Sequence, residues 1–206
     1  MAAPTLSLLF PTHLYRARLG GAGERAALDD LAHACRAIAA DDAAGQAWCA
    51  EHRYGGYTSY GSLNDLTWRD PAFADLAARL APHIAAFSES AQFDLGGRAL
   101  ALDSLWINLL APGAAHTGHV HPRAAVSGAL YVAASPGAGD IRFEDPRLPL
   151  MMAAPPRKAR AAAENRRFVN VSPRGGLVLL WESWLRHEVL AGDGERISVS
   201  FNYRWD

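Results

Sequence analysis

The sequence predicts a mainly β protein with N-terminal helices, an α+β chain whose C-terminal half forms a jelly roll. Three observations predict it. From Arg98 onward, short β-like runs alternate with Gly, Pro and Asp, at 99–110, 117–121, 126–133, 140–144, 166–171, 176–181, 186–190 and 195–203. Eight such strands suit two facing sheets that protect each other's edges. Before Arg98 the apolar residues recur at helical spacing instead. Finally, His116, His119 and His121 crowd into Pro112–His121, next to the strand-like run Val126–Val132.

A chain of 206 residues, half of them hydrophobic, can bury one good core, so 1–206 is read as a single domain. Residues 1–97 are its helical and edge-strand support and 98–206 its β core. A net charge of -1 and a pI near 6.7 give no electrostatic case for nucleic acid or an anionic membrane, which leaves a small molecule or peptide as the expected partner. No apolar run approaches the ~20 residues needed to cross a bilayer. Cys35 and Cys49 have no CxxC spacing, and the N-terminus lacks the pattern of a signal peptide, so reduced thiols in the cytoplasm are expected.

In chain order, Leu6–Phe10 and Thr12–Arg16, punctuated by Pro11, read as an opening strand and a bend. After the break Gly20-Gly21-Ala22-Gly23, Leu28, Leu31, Cys35 and Ile38 mark an amphipathic helix over Glu24–Ala40. Asp42–Arg53 reads as a short second helix, and the Tyr- and Gly-rich 54–62 as a loop or edge strand whose rings could line a pocket mouth. Asp70 before Pro71 is a helix start. Phe73, Leu76, Leu80, Ile84 and Phe87 make its apolar stripe, Pro82 is expected to bend or split it, and His83 reads as a surface residue. The insert between Arg147 and Arg167 is long for a loop in a compact domain, and its Arg157, Lys158, Arg160, Arg166 and Arg167 read as a solvated charge run.

Neutral imidazole is the commonest protein ligand for a transition metal. If His119 and His121 share a strand, the period of two places both rings on one face, and His187 is the natural third ligand. His116, an odd number of residues from His119, would point away from a regular strand unless Thr117-Gly118 forms a bulge. Downstream, alternation in Arg196–Tyr203 puts Arg196, Ser198, Ser200 and Asn202 on one face and Ile197, Val199, Phe201 and Tyr203 on the other. The polar face either meets water or lines a barrel, where a guanidinium can grip a carboxylate; the pattern alone permits both.

A histidine pair after a strand, a distal histidine and Arg-x-Ser shortly after it together resemble the Fe(II)- and 2-oxoglutarate-dependent oxygenases. More narrowly, WIN at 106–108, H-x-HP at 119–122, SGALYV at 127–132, FEDPR at 143–147 and WESWLRH through RISVSFN look like a bacterial and phage group within that superfamily. The resemblance implies a double-stranded β-helix, a cupin-like barrel, with Fe(II) on His119, His121 and His187. It implies 2-oxoglutarate as co-substrate, with Arg196 on its distal carboxylate, Ser198 hydrogen-bonding it, and Asn108 and Tyr131 lining the same pocket. O2 and an organic substrate would complete a hydroxylation that yields succinate and CO2. Trp106, Trp181 and Trp184 read as walls. The sequence departs from the superfamily's usual His-x-Asp or His-x-Glu, because the third position is His121.

Two other classes fit parts of the pattern. Gly113 followed by His119-x-His121 looks like the start of a cupin motif, and a three-histidine site would then serve a dioxygenase or isomerase without 2-oxoglutarate, although the expected glutamate is replaced by Ala124, Ala125 and Val126. A metal-free jelly-roll binding module is the other, and it gives no reason for the spacing of His187 and Arg196.

Overall fold

A computed structural model describes residues 3–205. The chain opens with β1 (Leu14–Arg18), α1 (Glu24–Asp41), α2 (Ala43–Glu51), β2 (Gly56–Thr58) and α3 (Pro71–Ser90). It then becomes almost purely β, with β3 (Ala101–Leu110), β4 (His116–His119), β5 (Val126–Ala134), β6 (Ile141–Glu144), β7 (Phe168–Val171), β8 (Leu177–Glu182), β9 (His187–Val189) and β10 (Arg196–Arg204). These strands form a six-stranded sheet, β1-β8-β5-β10-β3-β2, and a four-stranded sheet, β4-β9-β6-β7. Every strand pairing is antiparallel, and the two sheets face each other as a double-stranded β-helix.

The local chemistry explains the helices. Asp42 accepts a hydrogen bond from the Gly45 N–H (3.0 Å) at the start of α2, and Asp70 accepts one from Ala72 N–H (2.8 Å) ahead of Pro71. Pro82 neither ends nor splits α3, which runs through it. The proline is exposed, so the carbonyl it leaves without a helical partner faces water. His83 is a tie between elements: its Nδ1 lies 2.9 Å from the Tyr15 hydroxyl and its Nε2 3.2 Å from the Leu19 carbonyl. The expected strand at Leu6–Phe10 does not form. Pairing in β1 begins at Leu14, while Leu6, Leu8, Leu9 and Phe10 stay exposed. The insert after Arg147 carries two single turns of 3₁₀ helix, Leu148–Leu150 and Ala163–Asn165.

The six-stranded sheet has two unlike faces. Its outer face, with Leu105, Ile107, Leu130, Val178, Leu180, Val199 and Phe201, packs against Leu31, Phe73, Leu76, Leu80 and Phe87 of the helices. Gly128 lies where a Cβ would come within 2.2 Å of the Phe201 ring, so a side chain there would displace the ring. Its inner face joins the smaller sheet through Ala129, Tyr131, Ile141, Phe143, Leu179 and Trp181. Arg196, Ser198, Ser200 and Asn202 of β10 point into this interior, three of them buried. Among the described residues no helix is long and apolar enough to cross a membrane.

Candidate metal centre

The narrow cavity between the sheets, about 40 Å³, is lined at one end by His116, His119, His121 and His187 and also by Trp106, Asn108, Tyr131, Trp181 and Arg196. His119, His121 and His187 each offer a ring nitrogen, and the three lie within 4.8 Å of one another. The route to this convergence differs from the expected one. β4 ends at His119, and His121 sits beyond it, held by its N–H bonding to the Ser183 carbonyl (3.0 Å). His187 begins β9 directly opposite His119. Between His116 and His119 the register slips, a bulge at Thr117-Gly118. His116 therefore does not point away: its ring stacks on His119 at 4.4 Å, lining the cavity while standing outside the triad.

The imidazoles are arranged for ligation. His119 Nδ1–H donates to Thr117 O (2.8 Å) and His187 Nδ1–H to Leu185 O (2.9 Å). A carbonyl can only accept, so each neutral ring carries its lone pair on Nε2. His121 Nδ1 lies 3.4 Å from the side-chain amide of Asn202, which also reaches Ser104 (3.3 Å) and Ser127 (2.8 Å). The amide nitrogen faces His121 and donates to its Nδ1, unlike the arrangement at the other two rings; exchange of the amide's oxygen and nitrogen would let Nδ1–H donate instead and free Nε2.

Electrostatics hold the rings neutral, the form a metal requires. Burial pushes His187 down to about 3, helped by His119, and burial with the neighbouring rings pushes His121 to about 4. His116 falls to about 4 through burial, His119 and Arg196. His119 is also lowered, chiefly by burial.

At the other end the cavity lacks a partner for its cation. None of the ion pairs among the described residues involves Arg196. Its guanidinium lies 5.5 Å from the Tyr131 ring centre and makes one long contact, 3.5 Å, to Gly139 O. Arg196 Nε, Tyr131 Oη and Ser198 Oγ are buried with no hydrogen-bond partner, as is Trp181 Nε1. Burial raises the Tyr131 phenol to about 12 against the pull of Arg196, so it remains a donor. Ser198 does not line the cavity itself, and Asn108 lines it with a committed amide: Oδ1 accepts from Thr58 Oγ1–H (2.8 Å) and Nδ2 donates to Ser200 Oγ (3.0 Å).

Residues 104–202 match the family model described as "Putative 2OG-Fe(II) oxygenase". Those residues belong to the 2OG-Fe(II) oxygenase family. No curated protein matches the chain in sequence. Solved structures similar to the oxygenase fold include a Pseudomonas putida prolyl-4-hydroxylase, 18% identical, covering 94% of this chain and 89% of that one with a TM-score of 0.56. HygX from Streptomyces hygroscopicus, solved with nickel and 2-oxoglutarate bound, is 18% identical over 94% and 82% of the two chains with a TM-score of 0.56. The epimerase SnoN, solved with Fe3+, alpha ketoglutarate and nogalamycin RO, is 19% identical over 94% and 79%, with a TM-score of 0.59. At these identities the structures establish the fold.

Sequence reasoning missed Thr58 and gave Asn202 no role beyond its place on the polar face of β10, while Trp181 and Trp106 stand as cavity walls, as expected. The Tyr-rich stretch carried a signal that proves partly right: Tyr54 stands edge-on to His116 at 5.7 Å and Tyr60 edge-on to Trp106 at 5.2 Å, whereas Tyr57 is buried and donates to Asp42 (2.7 Å).

Proposed function

We propose that the protein is a non-haem Fe(II)- and 2-oxoglutarate-dependent oxygenase that hydroxylates a small-molecule or peptide substrate. One observation carries the reading. A convergent imidazole triad shares a cavity with a buried guanidinium that has no anionic partner and an unbonded Nε, and with a phenol that has no hydrogen-bonding partner. Leaving a buried cation unpaired is costly, and a carboxylate entering the cavity would relieve it. His119, His121 and His187 would hold Fe(II) through Nε2 on one side of the ion, leaving positions free. When bound, the iron with its co-substrate and O2 supplies the oxidising chemistry that places an oxygen atom on a substrate C–H bond.

The chain's own residues set the geometry. Arg196 would clasp the distal carboxylate and Tyr131 Oη–H would donate to it, whereas Ser198, buried outside the cavity lining, would not reach it. Asn108, fixed by Thr58 and Ser200, holds the wall. Trp106 and Tyr131, buried beside the site, exclude bulk water and strengthen these contacts. Substrate would arrive from the side on which His119 and His121 are only half-buried and Val120 and Trp184 are exposed.

The test is anaerobic loading with Fe(II), then 2-oxoglutarate and O2, with succinate read in the absence of substrate. Metal-dependent succinate formation is expected. The all-histidine ligand set favours a second reading, a cupin-like dioxygenase or isomerase that ignores 2-oxoglutarate. One Fe(II) per chain with neither succinate nor 2-oxoglutarate binding would select it, and no bound metal at pH 7.5 would leave the binding module.

A further inference from the structure

The cavity holds one more unsatisfied donor than a distal carboxylate accounts for. Trp181 is 2% exposed, its ring lines the cavity, and its Nε1–H has no partner. The contrast with Trp184, whose Nε1–H donates to Glu182 (2.9 Å), shows that the chain can satisfy an indole where nothing else must. Packing does not require the nitrogen either. Trp181 stands edge-on to Phe143 at 5.2 Å and to His187 at 4.7 Å, contacts a purely hydrocarbon ring could make.

Register fixes which end of the cavity this donor serves. Trp181 pairs with Ser127 on β5, and Ser127 bonds to Asn202, the residue beside His121. Tyr131 stands four residues further along the same inner face, roughly 13 Å away along the sheet, and Arg196 pairs with Ala134 beyond it. The orphan donors thus fall into two groups: Arg196 and Tyr131 at the far end, and Trp181 alone beside the metal ligand His187. An extended dicarboxylate anchored at Arg196 presents its second anionic end toward the triad, where Trp181 offers the one buried side-chain donor without a partner among the described residues at that end.

Resting on the co-substrate reading above, we propose that Trp181 donates its indole N–H to the metal-end carboxylate of the bound 2-oxo dicarboxylate. It is then a binding residue and not only a wall. A donor to an ionised oxygen in a dry cavity adds affinity, and more of it than the same bond to a neutral oxygen.

The experiment uses the full chain loaded with Zn(II), which is diamagnetic and does not turn over, with 15N-labelled tryptophan and 2-oxoglutarate as the probe. The Trp181 indole resonance, assigned by triple-resonance spectra, should move downfield on saturation and exchange more slowly with solvent. Trp181→Phe, which keeps the ring and removes the N–H, should weaken 2-oxoglutarate about tenfold by calorimetry with Zn(II) occupancy unchanged. A wild-type protein that binds 2-oxoglutarate while this resonance stays in place, or a Trp181→Phe affinity within twofold of wild type, overturns the assignment and leaves the co-substrate reading intact. Wild type that fails to bind 2-oxoglutarate at all overturns both. If Trp181→Phe fails to fold, the wild-type resonance alone decides.

Discussion

The two faces of β10 run side by side over nine residues and are built on opposite rules. Outward, Ile197, Val199, Phe201 and Tyr203 close against the helices with no polar atom to satisfy beyond the tyrosine's hydroxyl. Inward, Arg196, Ser198, Ser200 and Asn202 enter the barrel, and the first two leave buried polar atoms without partners. The outer face is finished by the protein alone, and the inner face is complete only with something added. Stability should therefore depend mostly on one set and ligand binding on the other.

The largest effect should come from breaking the outer set. Phe201 is fully buried against Gly128, Leu180 and Tyr203. Phe201→Ala removes a ring from a close-packed layer and should cost about 3 to 5 kcal/mol of unfolding free energy, read from urea denaturation, while the folded fraction still binds metal with wild-type affinity. A loss below about 1 kcal/mol would mean the helices are not packed as described.

Arg196→Ala should do the reverse. Removing a buried cation that has no acidic partner should leave the apo protein at least as stable, because its desolvation is relieved. The dissociation constant for 2-oxoglutarate should rise at least tenfold, since a hydrogen bond to a charged group contributes about 1.5 to 3 kcal/mol. Calorimetry on Ni(II)-loaded protein that gives equal affinities for mutant and wild type would sever Arg196 from the co-substrate.

Acid should also separate the faces. Rings that titrate near 6.5 in the unfolded chain are held down in the folded one, His187 to about 3 and His121 and His116 to about 4. Above pH 6.5 both states are neutral and their contribution is fully present. As pH falls below 6.5 the unfolded chain takes up protons that the folded one refuses, so metal-free stability declines through that window. His187, the most buried, should by itself remove about 2 kcal/mol between pH 6.5 and 5, and the half-buried rings add to this. Urea midpoints that stay level from pH 7 to 5 would show that water already reaches these rings.

Much of this was legible in the sequence, for reasons that can be located. The positions of β3 to β10 followed from Gly and Pro punctuation, and the start of α3 from Asp70-Pro71. The alternation in β10 was plain, yet alternation has two solutions, and only the helices covering one side decide which face is inward. A strict period of two turns His116 away, and a bulge at Thr117-Gly118, which the glycine permits, turns it back; the sequence allows both, and the structure takes the bulge while His121 enters the triad from beyond the strand's end. Thr58 and Asn108 meet across fifty positions, and no local pattern encodes such a pair. Leu6–Phe10 has a strand's apolar composition but no partner, and composition without pairing does not make a strand.

The smallest effect tests the distinction between lining the cavity and closing the triad. His116 stacks on His119 and faces Tyr54, yet its ring nitrogens lie outside the cluster that the other three form. His116→Ala should therefore change metal affinity by less than about threefold, or ~0.6 kcal/mol. His121→Ala removes a member of the cluster and should lose most of the metal. His121→Asp restores an anionic ligand at the same position and should retain it, although the shorter side chain gives up its contact with Asn202. Metal titrations of the three variants at pH 7.5 decide the matter. Loss of binding in His116→Ala with retention in His121→Ala would redraw the triad around the bulge and move the open face of the metal toward Tyr54.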